Sequence, residues 1–273
     1  MNDLDFYEAK GYLVLNLSNT AAVLEARERL LDQLKSFTGW KKVRLENYHE
    51  QIGDDDNKHT EIQAYLTDYM RRHQLNIAVL RANMDVLLPL VGPDSDIWAE
   101  PYLRIVRPMK AQDNIGYHRD TIYGTSPYEI SALIPFVDLD SGAALCLEPA
   151  SHRKADSEIP FTQAENQVPA VMKGSVKHHL GFLYAPKVLH ESYPLDQMIP
   201  IPIRVGQILI FTVTLLHGTI LNSSPITRWS CDARVKNAFL PAGDRGERFI
   251  PLGRGPATKV TEQYLRSNQT VLP

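Results

Sequence analysis

The fold is indicated most clearly by the stretch Gly206-Gln207-Ile208-Leu209-Ile210-Phe211-Thr212-Val213-Thr214-Leu215-Leu216-His217-Gly218-Thr219. It is rich in β-branched and apolar residues and too short to span a bilayer, so it predicts a buried strand. The strand runs into His217-Gly218, where a glycine lets a second stretch of backbone approach closely. A lone histidine at such a place is most often a core residue bonded to backbone, so the rest of the chain decides its role.

Short β-rich runs separated by turn residues fill the second part of the chain. They lie at 102–106, 130–137, 144–147, 181–184, 208–213 and 229–235. Many short strands without long helices between them predict a sandwich or a barrel, and a double-stranded β-helix (a jelly roll, as in cupins) is one such solution.

The first third of the chain has helical periodicity instead. Helices are predicted at 21–37, 61–72 and 75–88, the second of them capped by Thr60, and a strand is predicted at 12–17. We therefore expect one α+β domain over residues 1–273. It comprises a helical N-terminal part at about 1–97, a β-helix core at about 98–240 and a tail at 241–273 that forms a surface loop and a short helix.

The composition excludes some classes of function. With 29 Lys and Arg against 32 Asp and Glu, the net charge is −3, so no strong basic field favours nucleic acid as a partner. The start of the chain has no basic segment followed by an apolar one, and no stretch predicts a membrane span. Cys146 and Cys231 lie far apart and fit a reducing compartment. These features predict a cytoplasmic protein, and none of them specifies an oligomeric state.

His118-Arg119-Asp120 is the first candidate for metal chemistry. In a strand, residues two apart share a face, so His118 and Asp120 can supply two of the three facial ligands of a non-haem Fe(II) site. The pattern alone is weak, because nine histidines and 32 acidic residues produce about one such pair by chance. His59-Thr60-Glu61 is a second occurrence. His59 follows a polar run just before a predicted helix, so we expect a solvated loop and helix cap there.

His217 is the candidate for the third ligand, and the residues after it support this choice. Arg228 follows eleven positions later, where its guanidinium can pair with the distal carboxylate of 2-oxoglutarate. Thr219 and Asn222 can add hydroxyl and amide donors, and Ser230 shares the face of Arg228. The alternatives are that Arg228 is a surface strand residue and that Asn222 belongs to the turn Asn-Ser-Ser-Pro.

Taken in order, these motifs resemble the phytanoyl-CoA dioxygenase family of 2-oxoglutarate oxygenases. The family pairs the distal histidine with an asparagine five positions on and an arginine eleven positions on, and both spacings hold here. The remaining matching elements are His118-x-Asp120, Pro149-Ala150-Ser151-His152, Gly206 to Phe211, and the opening Phe6-Tyr7-x-x-x-Gly11-Tyr12-Leu13-Val14. Ala150 stands where the family's turn usually has glycine.

The resemblance implies a double-stranded β-helix in which His118, Asp120 and His217 bind Fe(II). It also implies that 2-oxoglutarate is anchored by Arg228, assisted by Thr219 and Asn222, and that O₂ is the oxidant. Some halogenating relatives lack the carboxylate ligand. Because Asp120 is present, oxidation such as hydroxylation is favoured over halogenation.

The substrate is expected to be a small polar metabolite, with a carbohydrate-containing one as a possibility. The loop at 171–202, which contains His178 and His179, is polar enough to meet such a compound, and Tyr123 with residues 124–127 is a candidate lid. The candidate pocket residues are Arg104, Tyr117, Arg119, Tyr123, Lys187 and His190. Two alternatives remain open: a cupin-like metal enzyme without redox chemistry, of isomerase type, and a metal-free β-barrel binding protein.

Overall fold

The computed structural model describes residues 2–163, 176–180, 187–219, 221–244, 246 and 248–269. The helices are α1 Asp3–Lys10, α2 Thr20–Thr38, α3 Tyr48–Ile52, α4 Asp56–Arg72, α5 Leu75–Arg81, α6 Met84–Val91, α7 Val176–His179 and α8 Pro256–Gln269. The strands are β1 Tyr12–Asn16, β2 Ser95–Trp98, β3 Tyr102–Val106, β4 Glu129–Pro135, β5 Leu145–Leu147, β6 Phe161–Gln163, β7 Lys187–Leu189, β8 Ile199–Ile201, β9 Gln207–Thr212, β10 His217–Gly218, β11 Arg228–Asn237 and β12 Phe249–Gly253.

The strands form a large antiparallel sheet and two small ones. The large sheet has the order β1-β9-β4-β11-β2-β12, and β3 pairs with the first half of β11. The main small sheet has the order β10-β5-β8, and β6 pairs with β7. Every residue of β4 is buried, as expected for a central strand that is covered on both faces. One cavity has walls from both β11 in the large sheet and β5 and β10 in the main small sheet, so it lies between them.

The N-terminal helices join the sheet in one hydrophobic core. In α2, Val23, Leu30 and Leu34 recur at helical spacing and are fully buried. Asn19 caps the start of α2, and Gly39, at a φ of 75°, ends it in the left-handed conformation that glycine adopts easily. No helix in the described part of the chain is both long enough and apolar enough to cross a membrane.

The predicted fold class, a jelly-roll core with flanking N-terminal helices, is confirmed. The helix predicted at 21–37 and the strands predicted at 12–17, 102–106, 130–137, 144–147, 208–213 and 229–235 all occur, with ends shifted by one or two residues. The strand predicted at 181–184 lies outside the described residues.

Four predictions about local structure were wrong. The second helix begins at Asp56 and not near 61, because the side chain of Asp55 caps it by accepting from the backbone N–H of Lys58. His59 therefore lies inside a helix and is buried, not in a solvated loop. The helix predicted at 75–88 is two helices, α5 and α6, separated at Asn83. Finally, the C-terminal tail contributes β12 to the large sheet.

Candidate active site

His118 and His217 face each other across a single antiparallel bridge. The N–H of His118 donates to the carbonyl of His217 at 2.8 Å, and the N–H of His217 donates back at 3.0 Å. Gly218 makes this approach possible, because a Cβ on it would lie 2.6 Å from the carbonyl oxygen of Gly116. The glycine that follows the distal histidine is thus required by the proximity of two backbone segments.

Gly218→Ala should therefore destabilise the protein at the position next to His217. The added methyl group meets backbone, which cannot move aside like a flexible side chain, so we expect a loss of about 1–3 kcal/mol in the free energy of unfolding. Gly116→Ala is the matched control, since a Cβ at Gly116 meets nothing within 4 Å. Chemical denaturation of both variants measures the effect, and equal stability of the two would contradict this explanation of Gly218.

The tautomers of the two imidazoles follow from their hydrogen bonds. Nδ1 of His118 lies 2.8 Å from the carbonyl oxygen of Gly116, and Nδ1 of His217 lies 2.8 Å from that of Leu215. A carbonyl oxygen only accepts, so Nδ1 of each ring carries a proton, and Nε2 is the nitrogen that can bind a metal. This is the arrangement that orients a histidine as a metal ligand.

Asp120 completes the group. Its Oδ1 lies 3.7 Å from Nε2 of His118, although Asp120 begins a short 3₁₀ turn and does not continue a strand as predicted. Two side chains fix the carboxylate: Arg234 donates to Oδ1 at 2.9 Å and Ser131 donates to Oδ2 at 3.1 Å. One ligand atom from each of His118, Asp120 and His217 lies within 4.8 Å of the others, and all three residues are buried.

The charge states of the group suit metal binding. Burial would raise the pKa of the Asp120 carboxyl, but Arg234 and the two histidines outweigh burial and hold that pKa well below its ordinary value. Burial, with the neighbouring His118, lowers the pKa of His217 to about 4, so His217 is neutral near neutral pH. An ionised carboxylate and neutral imidazoles are the forms in which these side chains bind metals. Two imidazoles and one carboxylate that converge at this spacing fit the facial triad of Fe(II).

Arg228 lies in the same cavity with an unusual set of partners. It is only 4% exposed, and its guanidinium donates to the hydroxyls of Ser230 and Thr219, both at 3.2 Å. Among the described residues, no carboxylate lies within ion-pair distance of it, and burial lowers its pKa. A buried cation bonded only to neutral groups is costly unless an anion joins it. This end of the cavity is therefore suited to a carboxylate.

Thr219 is brought to Arg228 as predicted, but Asn222 is not. The side-chain amide of Asn222 donates to the carbonyls of Val106 at 3.0 Å and Ile226 at 2.9 Å, and its oxygen accepts from the N–H of Ser224 at 3.0 Å. These backbone groups satisfy the amide, and Asn222 does not line the cavity. The geometry thus favours the alternative reading, in which Asn222 fixes the turn that leads into β11.

The cavity has residues that the sequence reasoning did not single out. Asp232, Ser131 and Trp98 line it together with Arg234, which the triad also uses. Strand alternation offers a signal for Asp232 and Arg234, because residues 228, 230, 232 and 234 share one face of β11. No comparable local signal exists for Ser131 or Trp98. The further lining residues are Tyr102, Val106, Asp113, Asn114, Ile115, Ala132, Leu133, Leu145 and Phe211.

The predicted pocket residues differ in whether they lie at the cavity. Arg104 lines the cavity, and the ring of Tyr123 lies 6.2 Å from that of His118. Arg119 does not line it and pairs with Asp156 at 2.7 Å. His190 is exposed and bonds to the hydroxyl of Ser192.

The remaining predictions concern Tyr117, the polar loop at 171–202 and the candidate lid. Tyr117 does not line the cavity, and burial, together with the neighbouring thiol of Cys146, raises the pKa of its phenol. Much of the polar loop lies outside the described residues, namely residues 171–175 and 181–186 and the side chains of His178 and Lys187. His179 is described and is exposed. In the candidate lid, Ser126 is buried and donates to the carbonyl of Pro241 at 2.9 Å.

Comparison with known proteins gives two similar solved structures and one matching family. The chain is similar over its length to the non-heme monooxygenase ThoJ in its apo form, with 13% identity, 98% of each chain covered and a TM-score of 0.57. The ThoJ–Ni complex matches with 13% identity, 98% of this chain and 99% of the other covered and a TM-score of 0.54. No curated protein sequence matches the chain. A family model described as phytanoyl-CoA dioxygenase matches residues 7–230. Since this match spans most of the sequence, the chain belongs to the phytanoyl-CoA dioxygenase family.

Proposed function

We propose that the protein is an Fe(II)- and 2-oxoglutarate-dependent dioxygenase that hydroxylates a C–H bond of a small polar metabolite. The observation that carries the proposal is the pairing, in one cavity, of the His118–Asp120–His217 group with the buried cation of Arg228. A metal site alone fits many enzymes, and a buried arginine alone fits many ligands. Together they match a metal with an anionic cosubstrate.

Each residue near the site has a defined task in this proposal. His118, Asp120 and His217 hold the iron, and Arg228 with Thr219 binds the distal carboxylate of 2-oxoglutarate. When bound, iron, 2-oxoglutarate and O₂ supply an oxidation in which 2-oxoglutarate becomes succinate and CO₂, one oxygen atom entering succinate and the other the substrate.

The surrounding residues keep this arrangement in place. Arg234 and Ser131 hold the Asp120 carboxylate, and two backbone carbonyls hold the imidazoles. The apolar wall formed by Leu133, Leu145 and Phe211 keeps water away from the reacting atoms.

Turnover without the true substrate tests the reaction class. Iron-loaded protein incubated with 2-oxoglutarate and O₂ should form succinate slowly, and His217→Ala should not. No chlorinated product should appear with chloride present, because Asp120 takes the ligand position that a halide would need. Mass spectrometry measures both products.

A panel of sugars and nucleotide sugars completes this test. An oxygenase that reacts only after its substrate has bound would form no succinate without substrate. It would form succinate when the right member of the panel is added. Succinate at the level of His217→Ala with every compound would contradict the proposed reaction.

A further inference from the structure

Most charged side chains that line the cavity already have a role. Arg234 donates to Asp120 at 2.9 Å, beside the metal ligands. Asp113, a lining residue, accepts from the buried Arg107 at 2.8 Å. Arg228 is assigned to the cosubstrate. These charges belong either to the reaction centre or to the framework, so none of them is left to recognise a substrate.

Two charged residues of the described lining remain, and they pair with each other. Nε of Arg104, on β3, donates to Oδ2 of Asp232, on β11, at 2.9 Å. Arg104 also donates to the carbonyl of Leu180 at 2.9 Å and stacks over the ring of Tyr102, 4.9 Å from its centroid. The pair is part of the cavity wall and carries no net charge.

Asp232 keeps hydrogen-bonding capacity despite this pair. Its side chain is 35% exposed, and within the described structure its Oδ1 has no hydrogen-bond partner. A carboxylate oxygen accepts hydrogen bonds, so a hydroxyl group of a ligand can donate to it. A charged ligand group would lose its hydration on entering a cavity with apolar walls, and in this pair each charge is already offset by the other.

We propose that the substrate is an uncharged, hydroxylated molecule that donates a hydrogen bond to Asp232, and that the Arg104–Asp232 pair excludes charged analogues. This inference rests on the proposed function and adds the substrate class to it. Arg104 and Asp232 are specificity-determining residues in this proposal and take no part in the chemistry.

Charge-changing variants test this assignment. Asp232→Asn removes the negative charge beside Arg104, and Arg104→Gln removes the positive charge beside Asp232. The double variant is neutral again. Asp54→Asn, which breaks the surface pair between Asp54 and Lys110, is the matched control.

The probe is a small-molecule cell extract divided by ion exchange into neutral, anionic and cationic fractions. Two readouts are used: stimulation of succinate formation, and thermal stabilisation of protein loaded with 2-oxoglutarate and a divalent metal without redox activity. For the unmodified protein and Asp54→Asn, the neutral fraction should be about tenfold more effective than either charged one. Asp232→Asn should shift the preference toward the anionic fraction, Arg104→Gln should shift it toward the cationic fraction, and the double variant should return to the neutral one.

Three results would overturn the inference: a charged fraction that acts best on the unmodified protein, no fraction that acts on it, or single variants that keep its preference. Basal succinate formation and 2-oxoglutarate binding are measured in the same samples, and both should stay unchanged in the control Asp54→Asn. Absence of 2-oxoglutarate binding from the unmodified protein would instead contradict the proposed function.

Discussion

His118→Ala is expected to weaken Fe(II) binding by more than about 100-fold. Loss of a group that merely orients a metal ligand already costs about 10- to 100-fold in affinity, so loss of a ligand itself should cost more. Asp120→Ala should have a similar effect but also removes one hydrogen-bond partner of Arg234. Asp120→Asn is the cleaner variant, because its amide oxygen can still accept from Arg234 while the charge is gone.

Anaerobic calorimetry with Fe(II) measures this effect. His73→Ala is the matched control, since His73 is an exposed histidine at the end of α4. It should bind iron like the unmodified protein. Partial iron retention in one ligand variant is compatible with the assignment, because two ligands remain. Full occupancy in both His118→Ala and Asp120→Asn would place the metal elsewhere.

The candidate ligands of this site could be chosen from the sequence because several signals, each weak alone, coincide. Three features point to the same site: the His118-x-Asp120 spacing, the apolar strand that leads into His217, and Arg228 eleven positions later. The groups that hold Asp120 could not be found in this way. Arg234 and Ser131 come from different strands, and only the pairing of β11 with β4 brings them together. Such contacts depend on the register of the sheet, which no local pattern encodes.

His59 shows the opposite case, a local signal that misleads. The polar run before it indicates solvent, but a buried ion pair draws this segment inward. Arg107 is 1% exposed and bonds to Asp113, whose Oδ1 lies 3.6 Å from Nε2 of His59. Burial lowers the pKa of His59 to about 4, and its Nδ1 lies 3.0 Å from the hydroxyl of Tyr48. The polar residues thus meet partners inside the protein that are distant in sequence.

β12 was missed for a different physical reason. Its sequence contains Pro251, which cannot donate to a neighbouring strand, and Gly253, which weakens strands. Both residues argue against a central strand. They are tolerated because β12 lies at the edge of the large sheet, where one side of the strand needs no partner. The position of this segment in the sheet, and not its local propensity, thus explains why it forms a strand.

Arg228→Ala is expected to raise the dissociation constant of 2-oxoglutarate by about 10- to 100-fold while Fe(II) stays bound. A hydrogen bond to a charged group contributes about 1.5–3 kcal/mol, and the three metal ligands are untouched. Arg228→Lys should fall between, because an ammonium group cannot form the two parallel bonds that a guanidinium can. Calorimetric titration of the iron-loaded protein without O₂ measures the affinity.

Stability measurements separate this binding role from a structural one. The guanidinium of Arg228 is buried among neutral hydroxyls, so its removal should leave the unfolding temperature without 2-oxoglutarate unchanged or raised. At 100 times the dissociation constant, a ligand adds about 2.7 kcal/mol, so 2-oxoglutarate should stabilise the iron-loaded unmodified protein far more than Arg228→Ala at equal concentration. Arg104→Gln is the matched control and should respond like the unmodified protein, since Arg104 is paired with Asp232. Unchanged affinity in Arg228→Ala would move the anchor to Arg104 or Arg234, because these are the other arginines that line the described cavity.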